Sequence, residues 1–329
     1  MNGLWKRICG RINMTVKNFR SDLHFSPYYA FLRVGSELGG RLHLNGLSQR
    51  STEKKHRWTE AYLDKLLAPM ISRYEQDTDV GQYEPNAPIW VCWWTGEETA
   101  PALVKRCIES IRKNANGHPV HLITQENYSQ YLDVPDYILD KLNNGAMCVA
   151  NFSDYLRVSL LAQYGGWWLD ATIYCTQQLP ESIFKMSLFT CKGRTGPSNY
   201  YSDYRWTSFC IGSYRGNIAT RFVKEAFEIY WSKNAVIIDY LLLDYLIGLV
   251  YRKNAMVRDL LDQLPENNLH RDDLQAAMNA ALPAEEFENV IQPDTVLYKL
   301  SWREKYETLT PDGKKTVYGA FINAPLEGK

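Results

Sequence analysis

The residues best suited to chemistry lie at the start of a predicted helix, residues 151–164. Either Asn151 or Ser153 can cap this helix, because both side chains accept hydrogen bonds from free backbone amides. Asp154 is expected in the first turn, where the helix macrodipole favours a carboxylate. Arg157 follows three residues later and therefore shares a face with Asp154. The helix start thus offers an acid and a guanidinium to one neighbour.

A further carboxylate, Asp170, ends the strand predicted directly after this helix. Gly165 and Gly166 stop the helix, because glycine readily adopts the left-handed conformation of a helix end. Residues 167–170 then form the strand. In open α/β sheets, ligands bind in the crevice outside the carboxyl ends of the strands. The start of the helix and the end of the strand can therefore meet at one ligand.

Two interpretations of these charged residues remain open from their spacing. A carboxylate in such a crevice could hold the divalent ion of a nucleotide diphosphate or accept hydrogen bonds from sugar hydroxyls. Arg157 could reach a phosphate with its planar fork of donors. Alternatively, Asp154 and Arg157 form an ordinary surface pair, and Asp170 caps a turn.

The elements around this segment alternate between strand and helix, which is typical of a mostly parallel α/β sheet. Apolar runs bounded by Pro, Gly or polar residues predict strands at residues 88–94 and 119–124. Helices are predicted at 58–74, 102–114, 135–144, 217–233, 237–251, 255–263 and 272–281, and two late strands, at 296–300 and 316–321, are expected to close the sheet.

Composition argues against several classes of protein. The 329 residues contain 37 basic and 37 acidic side chains, and this balance is unlike that of a nucleic-acid-binding protein. The seven cysteines are spread widely and form no CxxC pair, so neither a disulfide framework nor a zinc site is indicated. The longest apolar stretch, residues 235–251, is shorter than a membrane span and contains two Asp residues. We therefore expect a cytoplasmic protein without a transmembrane segment.

Charge is nevertheless uneven along the chain. Residues 1–57 contain eleven Lys or Arg residues and three Asp or Glu residues, so their net charge is 11 − 3 = +8. Apolar residues recur between the basic ones at helical spacing. Such a segment could lie on an anionic membrane surface, where each basic residue contributes about 1 kcal/mol. It could equally pack on the body of the protein with its charges in solvent.

Residues 151–172, which contain Asp154, Arg157 and Asp170, resemble the capsular polysaccharide synthesis protein family of glycosyltransferases, which is related to glycosyltransferase family 32. A second stretch, residues 88–96, looks like the first strand and nucleotide-binding loop of that family. The resemblance covers about residues 85–320. The matching motif comprises Ser153-Asp154, Arg157, Leu160-Leu161, Tyr164-Gly165-Gly166, Trp168 and Asp170-Ala171-Thr172. Residues 206–213, residues 238–240 with Asp244, and Lys299-Leu300 also look similar to the family.

The resemblance implies a GT-A fold, a Rossmann-like α/β domain that takes a sugar from a nucleotide-sugar donor. Residues 81–329 would form this domain, with a donor half at about 85–215 and a helix-rich acceptor half at about 216–329. Residues 1–80 would form a basic helical segment outside it. By the same resemblance, Trp93 or Trp94 would stack on the base, with Thr95 and Gly96 near the nucleotide.

The resemblance also implies roles for the charged residues. Asp154 and Arg157 would grip the donor sugar and its phosphates, and Asp170 would take the first Asp position of an Asp-x-Asp motif that binds Mn²⁺ or Mg²⁺. This sequence continues as Asp170-Ala171-Thr172, so a neutral hydroxyl stands at the second Asp position. Asp170 is the expected metal ligand, with Thr172 a weaker one.

The remaining candidates lie in the second half of the chain. Asp239 and Asp244, in a strongly apolar predicted helix, could contact the acceptor or act as the base, or could be structural carboxylates. Trp206, in an aromatic loop, is a further acceptor candidate. His270 could be a metal ligand, although a solvated His beside Arg271 is the simpler interpretation.

The resemblance therefore implies a hexosyl transferase that extends a lipid-linked capsular or exopolysaccharide chain with retention of configuration. Its expected place is the inner face of the cell membrane, with other polysaccharide-assembly enzymes as partners. A non-catalytic sugar-binding protein on the same fold, and a transferase acting on a glycolipid or protein, are the alternatives.

Overall fold

The structure is a computed structural model that describes residues 15–16, 18–41, 44–194, 196, 198, 200–283 and 286–323. Its central sheet contains β1 (Ile89–Cys92), β2 (Val120–Ile123), β3 (Gly166–Leu169), β5 (Leu188–Thr190) and β6 (Cys210–Ser213). Their order is β2-β1-β3-β6-β5. β1 pairs in parallel with β2 and β3, whereas β6 is antiparallel to both of its neighbours. Four of these five strands thus run in one direction, and the predicted mostly parallel α/β class is confirmed.

Helices surround this sheet, because most of them carry an apolar face that must be buried. The described residues form the helices α1 (Pro27–Arg41), α2 (Asn45–Tyr74), α3 (Ala102–Lys113), α4 (Asp136–Asn143), α5 (Val149–Tyr164), α6 (Glu181–Phe184), α7 (Ile218–Lys233), α8 (Leu242–Lys253), α9 (Ala255–Asp262), α10 (Asp273–Ala277) and α11 (Val317–Phe321). α5 packs against α7, and the long helix α2 packs against α1, α7 and α8.

The two late strands do not close the central sheet as the sequence predicts. β7 (Leu297–Lys299) pairs antiparallel with β4 (Ile173–Cys175) in a separate two-stranded sheet. Residues 317–321 are helical, not extended, and the hydroxyl of the extended residue Thr316 caps α11 by accepting the Gly319 amide at 3.0 Å. Buried Val317, Ala320 and Phe321 follow the i, i+3, i+4 spacing of a helix. The predicted strand there is therefore wrong.

Two helix starts also differ from their predictions. α5 begins at Val149, so Cys148 is its N-cap, and neither Asn151 nor Ser153 caps it. Asn151 instead accepts a hydrogen bond from the Cys148 thiol at 2.9 Å. Asp154 consequently lies in the second turn. α8 begins at Leu242 and not at residue 237, so Asp239 precedes the helix that was expected to contain it.

The turn from α5 into β3 requires glycine, as predicted. Gly165 and Gly166 have φ angles of 68° and 92°. A Cβ atom at Gly166 would lie 2.0 Å from the carbonyl oxygen of Pro88. This close approach brings β3 alongside β1, and Trp90, Trp167 and Trp168 pack in the core beside it. The fold thereby fixes where the chain leaves β3 at Asp170.

Candidate active site

A cleft of about 390 Å³ opens where β1 and β3 end, a volume typical of small-molecule sites. Three further parts of the chain form its walls, namely the first turns of α5, residues 240–244 at the start of α8, and residues 299–303 at and after β7. The lining side chains include Trp93, Ser153, Asp154, Arg157, Trp168, Asp170, Ala171, Thr172, Ser208, Tyr240, Leu241, Leu243, Asp244, Lys299, Ser301, Trp302 and Arg303.

Arg157 joins the two carboxylates that the motif contains. One terminal nitrogen donates to Asp154 Oδ1 at 2.9 Å, and the other donates to Asp170 Oδ1 at 3.1 Å. Its guanidinium also lies 4.9 Å from the centroid of the Trp168 ring, whose Nε1 donates to Asp170 at 3.0 Å. Arg157 is 5% exposed. Arg157 is therefore a buried residue that links α5 to the end of β3 through Asp170, and its pair with Asp154 within α5 is not an ordinary surface contact.

Lys299 holds the other side of Asp170. Its ammonium donates to Asp170 Oδ2 at 2.9 Å and to the Thr172 hydroxyl at 2.6 Å. Burial opposes ionisation of Asp170, but Lys299, Arg157 and the Trp168 hydrogen bond together keep its pKa below the ordinary value. Asp170 is thus an ionised carboxylate with both oxygens engaged.

Two more carboxyl groups in the cleft, those of Asp154 and Asp244, have pKa values above the ordinary one. Burial raises the pKa of Asp154 to about 7, although Arg157 opposes this, and Asp244 and Asp170 add to it. Burial likewise raises the pKa of Asp244 to about 6. The indole Nε1 of Trp206 donates to Asp244 Oδ1 at 3.1 Å. Acids with raised pKa values in a cleft are typical of functional sites.

The residues at Asp170-Ala171-Thr172 do not fit a divalent metal ion. The oxygens of Asp170 and Thr172 that would ligate it accept hydrogen bonds from Arg157, Trp168 and Lys299. Among the described residues, no group of three or more His, Cys, Asp or Glu side chains is arranged to hold a metal. The ammonium of Lys299 contacts the side-chain oxygens of both Asp170 and Thr172.

Other predicted site residues lie away from the cleft lining. Trp94 packs against Tyr128 and Phe152, and the Thr95 hydroxyl hydrogen-bonds that of Thr99, with Gly96 in the turn between them. Trp93, in contrast, lines the cleft, edge to face with Trp302 at 5.6 Å.

Of the residues predicted to contact the acceptor or to bind a metal weakly, some lie at the cleft and others lie away from it. Asp244 lines the cleft, and Trp206 reaches it through its hydrogen bond to Asp244. Asp239 is buried against Lys55 at 2.7 Å. His270 lies 2.7 Å from Asp273, in an exposed pair outside the cleft lining.

Comparison with known proteins shows which family this chain belongs to. A sequence model described as capsular polysaccharide synthesis protein matches residues 41–321. The chain belongs to the capsular polysaccharide synthesis protein family. The match begins earlier than residue 85, where the sequence resemblance starts, and so includes all of α2.

Individual relatives of this family member carry glycosyltransferase names. The O-glycosyltransferase braB of Annulohypoxylon truncatum is 27% identical over 161 residues, which span 43% of this chain and 36% of that protein. The chain therefore spans well under half the length of this curated relative. The solved structure named PaToxG Glycosyltransferase has a TM-score of 0.33 and 15% identity, and the match covers 60% of this chain and 80% of that one. The name of the curated relative links this family to glycosyltransferases.

Several cleft residues of this family member had no predicted role. Lys299 and Tyr240 belong to stretches that look similar to the family, but no function was predicted for either. Trp302 and Arg303 also line the cleft, again without a predicted role. A signal was present, because the end of the strand predicted at 296–300 and the three residues after it place two cations and an indole within five positions. Tyr240, which is 56% exposed, lies at the opposite wall.

Proposed function

We propose that this protein is a glycosyltransferase that moves a hexosyl group from a nucleotide-sugar donor to a growing, lipid-linked capsular or exopolysaccharide acceptor. The observation that carries the proposal is the Arg157–Asp170–Lys299 arrangement at the end of β3, with contacts of 3.1 Å and 2.9 Å. It places two cations on one carboxylate inside a cleft of ligand size.

Cations in the cleft suit a diphosphate. Arg157, Lys299 and Arg303 all line it, and guanidinium groups bind phosphate oxygens with paired, charge-assisted hydrogen bonds. Asp170 uses one negative charge to orient two of these cations. The cluster therefore keeps positive charge available for an incoming anion, as a donor diphosphate requires.

The rest of the cleft suits the uncharged parts of the donor. Asp154 and Asp244 are carboxyl groups that can accept hydrogen bonds from sugar hydroxyls. The indoles of Trp93 and Trp302 meet edge to face at 5.6 Å and offer flat surfaces on which a base or a sugar ring can pack. We assign the base to this pair.

The reaction is a displacement at the anomeric carbon. The bond from that carbon to the diphosphate oxygen breaks, and its electron pair leaves with the phosphate. The acceptor hydroxyl oxygen forms the new bond and gives its proton to the departing diphosphate oxygen. The transition state resembles an oxocarbenium ion, as in glycoside hydrolysis. Arg157, Lys299 and Arg303 would stabilise the charge that develops on the leaving group. Retention of configuration, which the family resemblance implies, is part of the proposal.

Donor binding is the direct test of this function. We would measure thermal unfolding with UDP-, GDP- and CMP-linked sugars in buffer containing Mg²⁺. A donor at about 100 times its dissociation constant stabilises the protein by ~2.7 kcal/mol. Arg157→Ala should abolish the shift, whereas Arg73→Ala, at a 62% exposed side chain, should keep it. If no donor shifts the wild-type protein, the proposal fails.

Product analysis then separates the alternatives. Incubation of the shifting donor with a lipid-linked glycan should yield an extended glycan, and the coupling constant of its anomeric proton reports the configuration. Donor binding without transfer or slow hydrolysis would favour a non-catalytic sugar-binding protein. Transfer to a glycolipid or a protein alone would change the acceptor and leave the donor site as proposed.

We also propose that α1 contacts an anionic membrane surface. Tyr28, Phe31 and Leu38 lie at i, i+3 and i+10, which is one helix face, and are 53%, 66% and 41% exposed. Arg20 and Arg50 are exposed in the same basic region of the chain. An exposed apolar stripe beside positive charge suits the headgroup region of anionic lipid. Within the described residues, every helix is too short or too polar to cross a bilayer. Residues 1–14, which the sequence also assigned to this surface, lie outside the described residues.

Vesicle sedimentation tests the membrane contact. The wild-type protein should sediment with vesicles of phosphatidylglycerol and phosphatidylcholine but not with pure phosphatidylcholine. Phe31→Ser with Leu38→Ser should reduce that binding. Leu309→Ser, at a 56% exposed leucine in the C-terminal part, is the matched control. Equal binding of both variants would refute the contact through α1.

A further inference from the structure

Lys299 contacts the two positions that correspond to the acids of an Asp-x-Asp motif. Its ammonium is 2.9 Å from Asp170 Oδ2 and 2.6 Å from Thr172 Oγ1. We propose that this ammonium replaces the divalent cation of such a motif, so that the protein binds the donor diphosphate without a metal ion. The inference rests on the proposed function and concerns how the same site holds its substrate.

Charge balance supports this replacement. Two Asp side chains carry two negative charges, which one divalent ion neutralises. Asp170 and Thr172 carry one negative charge together, which one ammonium neutralises. A threonine at the second position is a poor ligand for Mg²⁺ or Mn²⁺, yet its hydroxyl oxygen is a good acceptor for an ammonium proton. Thr172 and Lys299 therefore fit one another better than either fits a metal.

The fold holds Lys299 rigidly at this position. β7 pairs antiparallel with β4, and Lys299 stands opposite Ile173, next to Thr172. The Leu300 amide donates to the Thr172 carbonyl at 2.9 Å, and the Lys299 amide donates to the Arg271 carbonyl at 2.8 Å. The backbone amides of Lys299 and of the following residue are thus both hydrogen-bonded, which fixes the backbone from which the lysine side chain extends.

The ammonium retains capacity for a phosphate. It has three protons, and in the described part of the chain two of them are given to Asp170 and Thr172. Its side chain is 27% exposed toward the cleft region that Arg157 and Arg303 also line. A diphosphate oxygen can therefore accept a hydrogen bond from the third N–H of the ammonium. This contact would take the place of the bond between the diphosphate and a metal ion.

Calorimetric titration of UDP, GDP and ADP, in EDTA and in Mn²⁺, tests this inference. One of these diphosphates should bind the wild-type protein about equally in both buffers. Lys299→Met, which keeps most of the side-chain length and removes the charge, should weaken that binding in EDTA at least tenfold. Lys305→Met, six residues later with an 89% exposed side chain, is the matched control and should bind normally.

The outcomes separate this inference from the proposed function. Wild-type binding that disappears in EDTA and returns with Mn²⁺ overturns the inference and leaves the glycosyltransferase proposal intact. Undiminished binding by Lys299→Met in EDTA also overturns it. Absence of diphosphate binding in both buffers overturns both proposals. Should Lys299→Met fail to fold, the wild-type comparison between EDTA and Mn²⁺ still decides.

Discussion

The ammonium of Lys55, in the middle of α2, lies 2.7 Å from the carboxylate of Asp239, 184 residues later in the chain. Both side chains are buried, with 13% and 7% exposed. Burial opposes ionisation of Asp239, but Lys55, the Leu241 amide and Arg33 together keep its pKa below the ordinary value. The pair therefore ties α2 to the segment that leads into α8 and into one wall of the cleft.

Loss of the Lys55 charge should destabilise the protein. Lys55→Met would leave the Asp239 carboxylate buried without its main partner, at a cost of about 3 kcal/mol in the free energy of unfolding. Urea denaturation at pH 7 measures this cost. Lys54→Met, at the exposed neighbouring lysine, should change the free energy of unfolding by less than about 0.5 kcal/mol. Equal effects of the two changes would contradict a structural role for the pair.

Arg157 should be required for transfer beyond its charge. Arg157→Lys keeps the charge but cannot bridge Asp154 and Asp170 with two separate nitrogens. We expect Arg157→Ala and Asp170→Asn each to lower the transfer rate at least tenfold, which is about 1.4 kcal/mol of transition-state stabilisation. Arg157→Lys should lie closer to Arg157→Ala than to the wild type. Near-normal turnover in all three variants would show that these residues stabilise the fold and are not needed for transfer.

Local patterns in the sequence predict most of the central fold. The α/β class, the helix that carries Asp154 and the glycine turn into β3 all follow from periodicity and from the conformational freedom of glycine. The late elements do not follow, because short segments such as residues 316–321 fit both helical and extended patterns. The start of α8 was also misplaced, because apolar residues continue across residues 235–241, ahead of the helix.

The motif half of the candidate site was predictable, whereas its third wall was not. Asp154, Arg157 and Asp170 lie within one continuous segment, so spacing alone brings them near each other. Lys299 lies 129 residues after Asp170, and the register between β4 and β7 decides that the two meet. Pairing between short, distant strands leaves little trace in a single sequence. Asp239 is the opposite case. Its carboxylate in an apolar stretch made it a candidate for the acceptor site, whereas the structure pairs it with Lys55, away from the cleft lining.

Asp154 should make stability depend on pH in a specific direction. Its pKa is raised to about 7 in the folded protein, so between about pH 4 and pH 7 the folded state holds a proton that the unfolded chain has released. The free energy of unfolding contributed by this group is therefore full below pH 4 and falls as the pH rises to 7. Asp154→Asn removes the dependence, so its melting temperature relative to the wild type should rise between pH 5 and pH 8. A difference that is constant with pH would show that Asp154 is ionised throughout.

Restoring a second acid while removing the lysine should convert the site to metal dependence. Thr172→Asp with Lys299→Ala leaves two carboxylates around the space vacated by the ammonium, which is the oxygen-rich arrangement that Mn²⁺ and Mg²⁺ prefer. Nucleoside diphosphate binding by this double variant should be weak in EDTA and should recover with Mn²⁺, whereas binding by the wild type should not change. Thr172→Asp alone should respond less, because Lys299 would then neutralise part of the added charge. If the double variant gains no response to Mn²⁺, then the ammonium does not stand in a cation position and its contact with Thr172 serves the pairing of β4 with β7 instead.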